Sequence, residues 1–264
     1  MKRNYIFIIA CISTFYAQAQ YIGGSRGAAM GDASVTFNDI NAAYSNPAGV
    51  ASLERFSANA FAERRFNLDA VSIYSAAVCL PTKSGNWGLK MRQQGFSELN
   101  EQQFSLIYAR KLMPNFQIGG GFSTRFVRAP SYPSTFAYTF EFGVQAQMLK
   151  TLRLGVYTYN PIQIKHRGNE SLASLIKVGL QYSPSEKVNL CVEVEKDVAL
   201  SATFKTGLEY LVAKNLWLRA GYKFNPSVYS FGVGYAVNKR ILIDFAATQH
   251  QQLGFSPSIG FVYK

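Results

Sequence analysis

Few residues of this chain have types and spacings suited to chemistry. The histidines are His166 and His250, and each lies in a polar stretch with no second His, Cys or paired carboxylate at metal-ligand spacing. A hydrolase could use one of them beside a serine and an acidic or amide partner, but no nucleophile motif accompanies either. The chain is therefore read as non-enzymatic, with no metal and no cofactor. Cys11 lies in an amino-terminal leader, leaving Cys79 and Cys191, too few to build a fold from disulfides. What stands out is a set of charges that recur at alternate positions of otherwise apolar segments: Lys90, Arg92, Arg125, Lys177, Lys205, Arg219 and Lys223 against Glu141, Glu193, Glu195, Glu209 and Asp244. If these share one enclosed face, they can pair across strands into a rigid network or, less favoured, line an anion-selective pore.

The elements that position them repeat one plan from about residue 55 onward: roughly ten residues alternating apolar and polar, then a short turn rich in Gly, Pro, Asn, Ser or Lys. Fourteen such strands are predicted, at 55–64, 69–80, 85–95, 100–110, 115–128, 134–148, 152–159, 171–183, 188–196, 203–212, 215–224, 228–237, 240–248 and 254–263. Their lengths suit tilted strands that cross a bilayer. Composition agrees: of 264 residues, 14% are aromatic and only 16% charged, with mean hydropathy near zero. That is too aromatic for a disordered chain. Past residue 20, no apolar run is long enough for a membrane helix.

Lys2 and Arg3, the apolar stretch Tyr5 to Tyr16 and the small-x-small Ala17-Gln18-Ala19 read as a secretory signal peptide cleaved near Ala19. With export, an even strand number and aromatics near strand ends, alternation favours a transmembrane antiparallel β-barrel of about fourteen strands in the outer membrane over a soluble sandwich. The expected organisation is a signal peptide at 1–19, an amino-terminal plug at 20–54 and a barrel at 55–264. The net charge of +12 is accounted for by basic edges beside anionic lipid headgroups; nucleic acid has neither access nor motif.

Residues 20–54 break the alternation. They are dense in Gly, Ala and Asn, which permits close packing in a confined space, and Asn46-Pro47-Ala48-Gly49 is a turn signature. At the other end of the chain, Pro257 interrupts the strand that must close the ring and lacks a ladder N–H. It either starts that strand harmlessly or loosens a seam that a partner protein could cover.

The segment from Gly24 to Gly49 resembles the amino-terminal region of the FadL-like outer-membrane barrels and the related PorV/PorQ proteins of type IX secretion. The matching residues are Gly24, Arg26, Gly27, Met30, Gly31 and Ala33, then Asp39, Ala42, Ala43 and Tyr44, then Asn46, Pro47, Ala48 and Gly49. The resemblance implies a fourteen-stranded barrel with its amino terminus folded into the lumen, where Arg26, Met30, Gly31, Asp39, Asn46, Pro47 and Gly49 form the plug motif. Hydrophobic-compound transporters of this kind resemble one another in carrying a substantial extracellular domain, whereas the longest outer loop expected here is 160–170. The PorV/PorQ side of the resemblance therefore leads the reading: a non-enzymatic subunit or adaptor of a protein secretion or assembly complex, its partners being outer-membrane lipid and other outer-membrane or secretion-complex proteins. The alternative is passive transport of small hydrophobic compounds.

Overall fold

The computed structural model describes residues 24–96, 100–128, 134–164 and 172–264. The expected signal peptide and its cleavage site lie outside them. Fourteen strands, β1 to β14, run Ser57–Glu63, Ile73–Thr82, Gly85–Gly95, Asn100–Met113, Phe116–Arg128, Thr135–Leu149, Leu152–Tyr159, Leu175–Ser185, Val188–Asp197, Thr203–Ala213, Leu216–Phe224, Val228–Ala236, Ile241–His250 and Gly254–Tyr263. Each pairs antiparallel with its sequence neighbours, and β14 pairs with β1 from Ala58↔Tyr263 to Glu63↔Ser258, so the sheet closes on itself. Closure leaves no unpaired edge, the condition a sheet must meet in lipid.

The wall is inverted relative to a soluble protein. In β3, Trp87, Leu89 and Met91 are 45%, 59% and 45% exposed, while Lys90 between them is 8% exposed. The same alternation runs round the ring, with Phe104, Phe122, Phe136, Phe204 and Phe231 pointing outward. Such an outer surface is stable against hydrocarbon and not against water. No helix among the described residues is long and apolar enough to cross a membrane.

The connections at one end are tight, two residues at 83–84, 114–115, 150–151, 186–187 and 214–215 and four at 237–240; those at the other range from three residues, at 225–227 and 251–253, to the stretch 160–174. Short turns mark the periplasmic end of such barrels. Two outer connections exceed expectation because strands start later than the alternation suggested. β2 begins at Ile73 rather than 69: Phe66 and Asn67 adopt left-handed backbone, at φ 53° and 58°. Asp69 there pairs with Arg64 and folds into a 3-10 turn, Asp69–Val71. Likewise β8 begins at Leu175 rather than 171.

Cys79 on β2 and Cys191 on β9 stand seven strands apart in the ring of fourteen, both buried and both free. A disulfide needs Cα atoms within about 7 Å. Intact-mass analysis should therefore find two thiols, and a membrane-impermeant maleimide should label neither until the interior is opened. Labelling of the folded wild-type protein would mean the lumen is wetter than its packing indicates.

Candidate functional site: the occupied lumen

Residues 24–53 fold inside the ring. They form two short helices, α1 (Gly24–Ala29) and α2 (Ala42–Ser45), and a 3-10 turn at Pro47–Ser52. Met30, Ala33, Phe37, Ile40, Ala42, Ala43 and Val50 make the apolar centre of this segment, and the wall adds Ala77, Cys79, Ile107 and Ala109. The segment's chain reverses at Gly31 and Asp32, both in left-handed backbone at φ 62° and 61°. At Gly31 a Cβ would stand 2.8 Å from Thr206 O and Tyr222 N, so only glycine permits that approach to the wall.

The wall supplies the matching space. Gly119, Gly143, Gly155, Gly179, Gly207, Gly221, Gly232 and Gly260 each sit where a Cβ would run into the inner segment. Six of them are directly opposed across strands, as Gly119↔Gly143, Gly155↔Gly179 and Gly207↔Gly221. Sequence reading passed over this belt. Its signal was present, since a glycine in a strand interior weakens the strand and marks close backbone approach.

Polar groups then fix the inner segment. Arg26 donates through Nε and Nη2 to both oxygens of Glu209, at 2.9 and 2.6 Å, and through Nη1 to Asp39 at 2.8 Å, with the Phe37 ring 4.2 Å beneath its guanidinium. Glu209 also accepts from Arg219 Nε at 2.7 Å, and Arg219 Nη1 reaches Asp244 at 2.6 Å. A continuous chain of charges thus runs from Asp39 in the inner segment across β10 and β11 to β13. Glu193 accepts the backbone N–H groups of Ser34 and Val35, both at 2.8 Å, and pairs with Lys205 at 3.0 Å. Lys205 and Lys177 share Glu195, at 2.7 and 3.1 Å. Lys223 meets Asp32 at 2.9 Å. Lys90 meets Glu141 at 2.7 Å and donates to Ala43 O at 2.9 Å, while Tyr157 donates to Glu141 at 2.7 Å.

Asn46 directs Nδ2 at Val35 O, Val144 O and Val156 O, and its Oδ1 accepts from Ala48 N. Pro47 and Gly49 belong to the same turn, and Gly49 packs against Phe37 O and the Gln145 side chain. Arg125 and Arg92 stand nearer the outer mouth, bonded to Glu101 and Gln94 at 2.6 and 2.7 Å. Asp32 and Glu101 are members that sequence reading did not single out, and Gln145, on the polar face of β6, donates to Val35 O and Phe37 O. Charge balance is reached between wall and inner segment together, whereas alternation alone had suggested balance within the wall. A buried charge needs a partner with good geometry, and here the partners hold one chain segment against another.

Pro257 lies in the outer part of β14, one residue past the last β1–β14 pair. Its carbonyl accepts from Arg64 N at 3.0 Å, and Arg64 O, which would face the missing N–H, accepts from Asn67 N in the following turn. The proline therefore does not leave the Arg64 carbonyl without a donor.

Among the described residues, two spaces border the inner segment. Tyr44, Phe61, Ile73, Lys90 and Gln103 line a cavity of about 20 Å³ in the outer half, and at the opposite mouth Asn38, Lys111, Gln147 and Arg153 border a polar recess of about 320 Å³.

No protein-family model matches the chain, and no curated protein does. Solved structures match along nearly its whole length. The toluene transporter TbuX of Ralstonia pickettii superposes with a TM-score of 0.63 at 13% identity, covering 92% of this chain and 97% of the other. The monoaromatic hydrocarbon channel CymD gives 0.69 at 12%, with 91% and 97% covered. A FadL homologue of Pseudomonas aeruginosa gives 0.61 at 12%, with 91% and 96% covered. The chain has the fold of these FadL-type outer-membrane barrels. Its closed, outwardly apolar wall is that of a membrane-spanning barrel, and TbuX and CymD are described as a transporter and a channel.

Proposed function

We propose that this FadL-like barrel is a channel for small hydrophobic compounds, seen here in a closed form. The observation that carries the reading is likeness in fold, over nearly the full length of both chains, to proteins described as toluene transporter and hydrocarbon channel. The outer half of the lumen is compatible with it: Phe61, Ile73, Tyr157, Tyr159 and Leu175 face inward there. The closed form follows from volume. A benzene-sized guest occupies a cavity of about 150 Å³, and the outer cavity offers about 20 Å³. Passage therefore requires the inner segment to shift. The secretion-adaptor reading rested on short outer loops and on the PorV/PorQ side of the resemblance. None of the comparisons supports it, and it falls behind the channel reading.

The test uses a Gram-negative host producing the protein, with N-phenyl-1-naphthylamine as a hydrophobic probe that brightens on crossing the lipopolysaccharide layer. Uptake should be several-fold faster than in cells with an empty vector. It should fall to the vector rate in Ile73→Arg, which places a charge in the outer cavity. Equal uptake with and without the barrel, at matched surface levels, would remove the channel reading.

A further inference from the structure

The net positive charge of the chain is concentrated at one end. The short connections hold six basic residues, Lys83, Lys150, Lys187, Lys214, Lys239 and Arg240, against one acidic residue, Glu186. The hairpin without a basic residue in its turn, Pro114-Asn115, has Lys111 at the end of β4 instead. Each of the six periplasmic hairpins thus carries a lysine. All six are exposed, and among the described residues none forms an ion pair. Among the described residues, the connections at the opposite end hold two basic residues, Arg64 and Arg65, against one acidic, Asp69.

Turn geometry does not explain this. Tight hairpins favour Gly, Asn, Asp, Pro and Ser for their backbone, and lysine brings no conformational advantage there. Nor does solubility, which either sign would serve and which a mixture of signs at both ends would serve equally. Basic residues instead stand next to the apolar outer wall, as with Lys150 after Met148 and Leu149, and Arg110 opposite the outward Ile118, while Lys111 follows at the luminal mouth of the same hairpin. A flexible ammonium in that place reaches the headgroup layer while its stem lies along the apolar band. The lysines also recur every second strand round the entire ring. A single acidic protein docking from the periplasm would need its charges in one sector, whereas lipid surrounds the barrel on all sides.

We propose that this rim is a binding surface for anionic phospholipid headgroups of the inner leaflet, holding a selective ring of such lipids and fixing the depth and orientation of the barrel. The proposal is independent of what passes through the lumen.

The protein contains its own reporter. Trp87 faces lipid two residues inside the periplasmic end of β3, and the other tryptophan, Trp217, is partly buried toward the lumen. With Trp217→Phe as the background, the protein is reconstituted into vesicles of phosphatidylcholine containing either brominated phosphatidylglycerol or brominated phosphatidylcholine. Trp87 quenching should be several-fold more effective with the anionic quencher. That preference should vanish when Lys83, Lys111, Lys150, Lys187, Lys214 and Lys239 are all changed to Gln, and persist when all six are changed to Arg. Equal quenching by the two lipids in the Trp217→Phe protein would overturn the proposal, as would a preference that survives in the glutamine variant. The first outcome would leave an acidic periplasmic protein as the partner to seek.

Discussion

Gly143→Val should open the barrel without unfolding it. Gly143 lies in the middle of β6 with its Hα directed inward, and a Cβ there would overlap Asn46 Oδ1 and crowd Pro47 Cδ at 3.3 Å. Asn46 cannot step aside, because Nδ2 is held by three carbonyls and Oδ1 by Ala48 N. Overpacking of this kind costs about 1–3 kcal/mol or more where the neighbour is fixed. Loss of the asparagine's hydrogen bonds adds about 1 kcal/mol each. The strand itself gains from valine, which suits β structure better than glycine. The substitution therefore separates the two layers: the wall persists and the inner segment undocks. Planar-bilayer recordings should show open-channel events absent from the wild type, and Cys191, whose thiol contacts Thr36 of the inner segment, should become reactive to maleimide. Gly120→Ala, one strand away on the outer face with its nearest contact at an ordinary 3.4 Å, should change neither. A closed, unreactive Gly143→Val barrel would mean that the inner segment yields locally and does not gate the lumen.

The fold was legible because a two-residue period in a membrane barrel is enforced by two different solvents. Trp87, Leu89 and Met91 face hydrocarbon, Lys90 faces the interior, and each strand repeats the constraint. Strand starts were less legible. At 69–72 a short polar-apolar run looks like strand until the left-handed Phe66 and Asn67 turn it aside, and single-residue backbone preferences of that kind are weak in sequence. The lumen charges could be read as a set but not as pairs, because Lys223 finds Asp32 and Arg26 finds Glu209 across about 190 and 180 residues of chain. The glycine belt was missed for a similar reason. Gly119 and Gly143, or Gly207 and Gly221, acquire meaning only once register sets them opposite each other and the inner segment fills the space they leave. Loop length was the least informative feature, since short outer connections pointed away from hydrocarbon channels although the chain shares their fold.

Arg26→Met should release the inner segment by a different route. The Arg26 guanidinium supports two carboxylates at once, taking Glu209 by the fork and Asp39 by the remaining nitrogen. Methionine keeps part of the packing on Phe37 but removes every donor. Glu209 retains Arg219 and Asn189, and Asp39 retains Asn41, so neither carboxylate is stranded completely. Removing one member of a buried ion pair typically costs about 3–5 kcal/mol. The residual partners place this site at the lower end, about 3 kcal/mol, or on the order of a hundredfold in the docking equilibrium. Arg26→Lys should recover only part of the loss, because an ammonium cannot hold both oxygens of Glu209 in the geometry of a fork. Hydrogen–deuterium exchange gives the readout: amides of residues 24–53 should exchange on the order of a hundredfold faster in Arg26→Met, while those of the paired strands stay protected. Because Asn46, Glu193 and Arg26 hold the segment at three separate places, the pattern of exchange also tests whether it leaves as one body. Acceleration confined to α1, with Ala42–Ser52 unchanged, would show that the anchors act independently and that Arg26 alone does not hold the lumen closed.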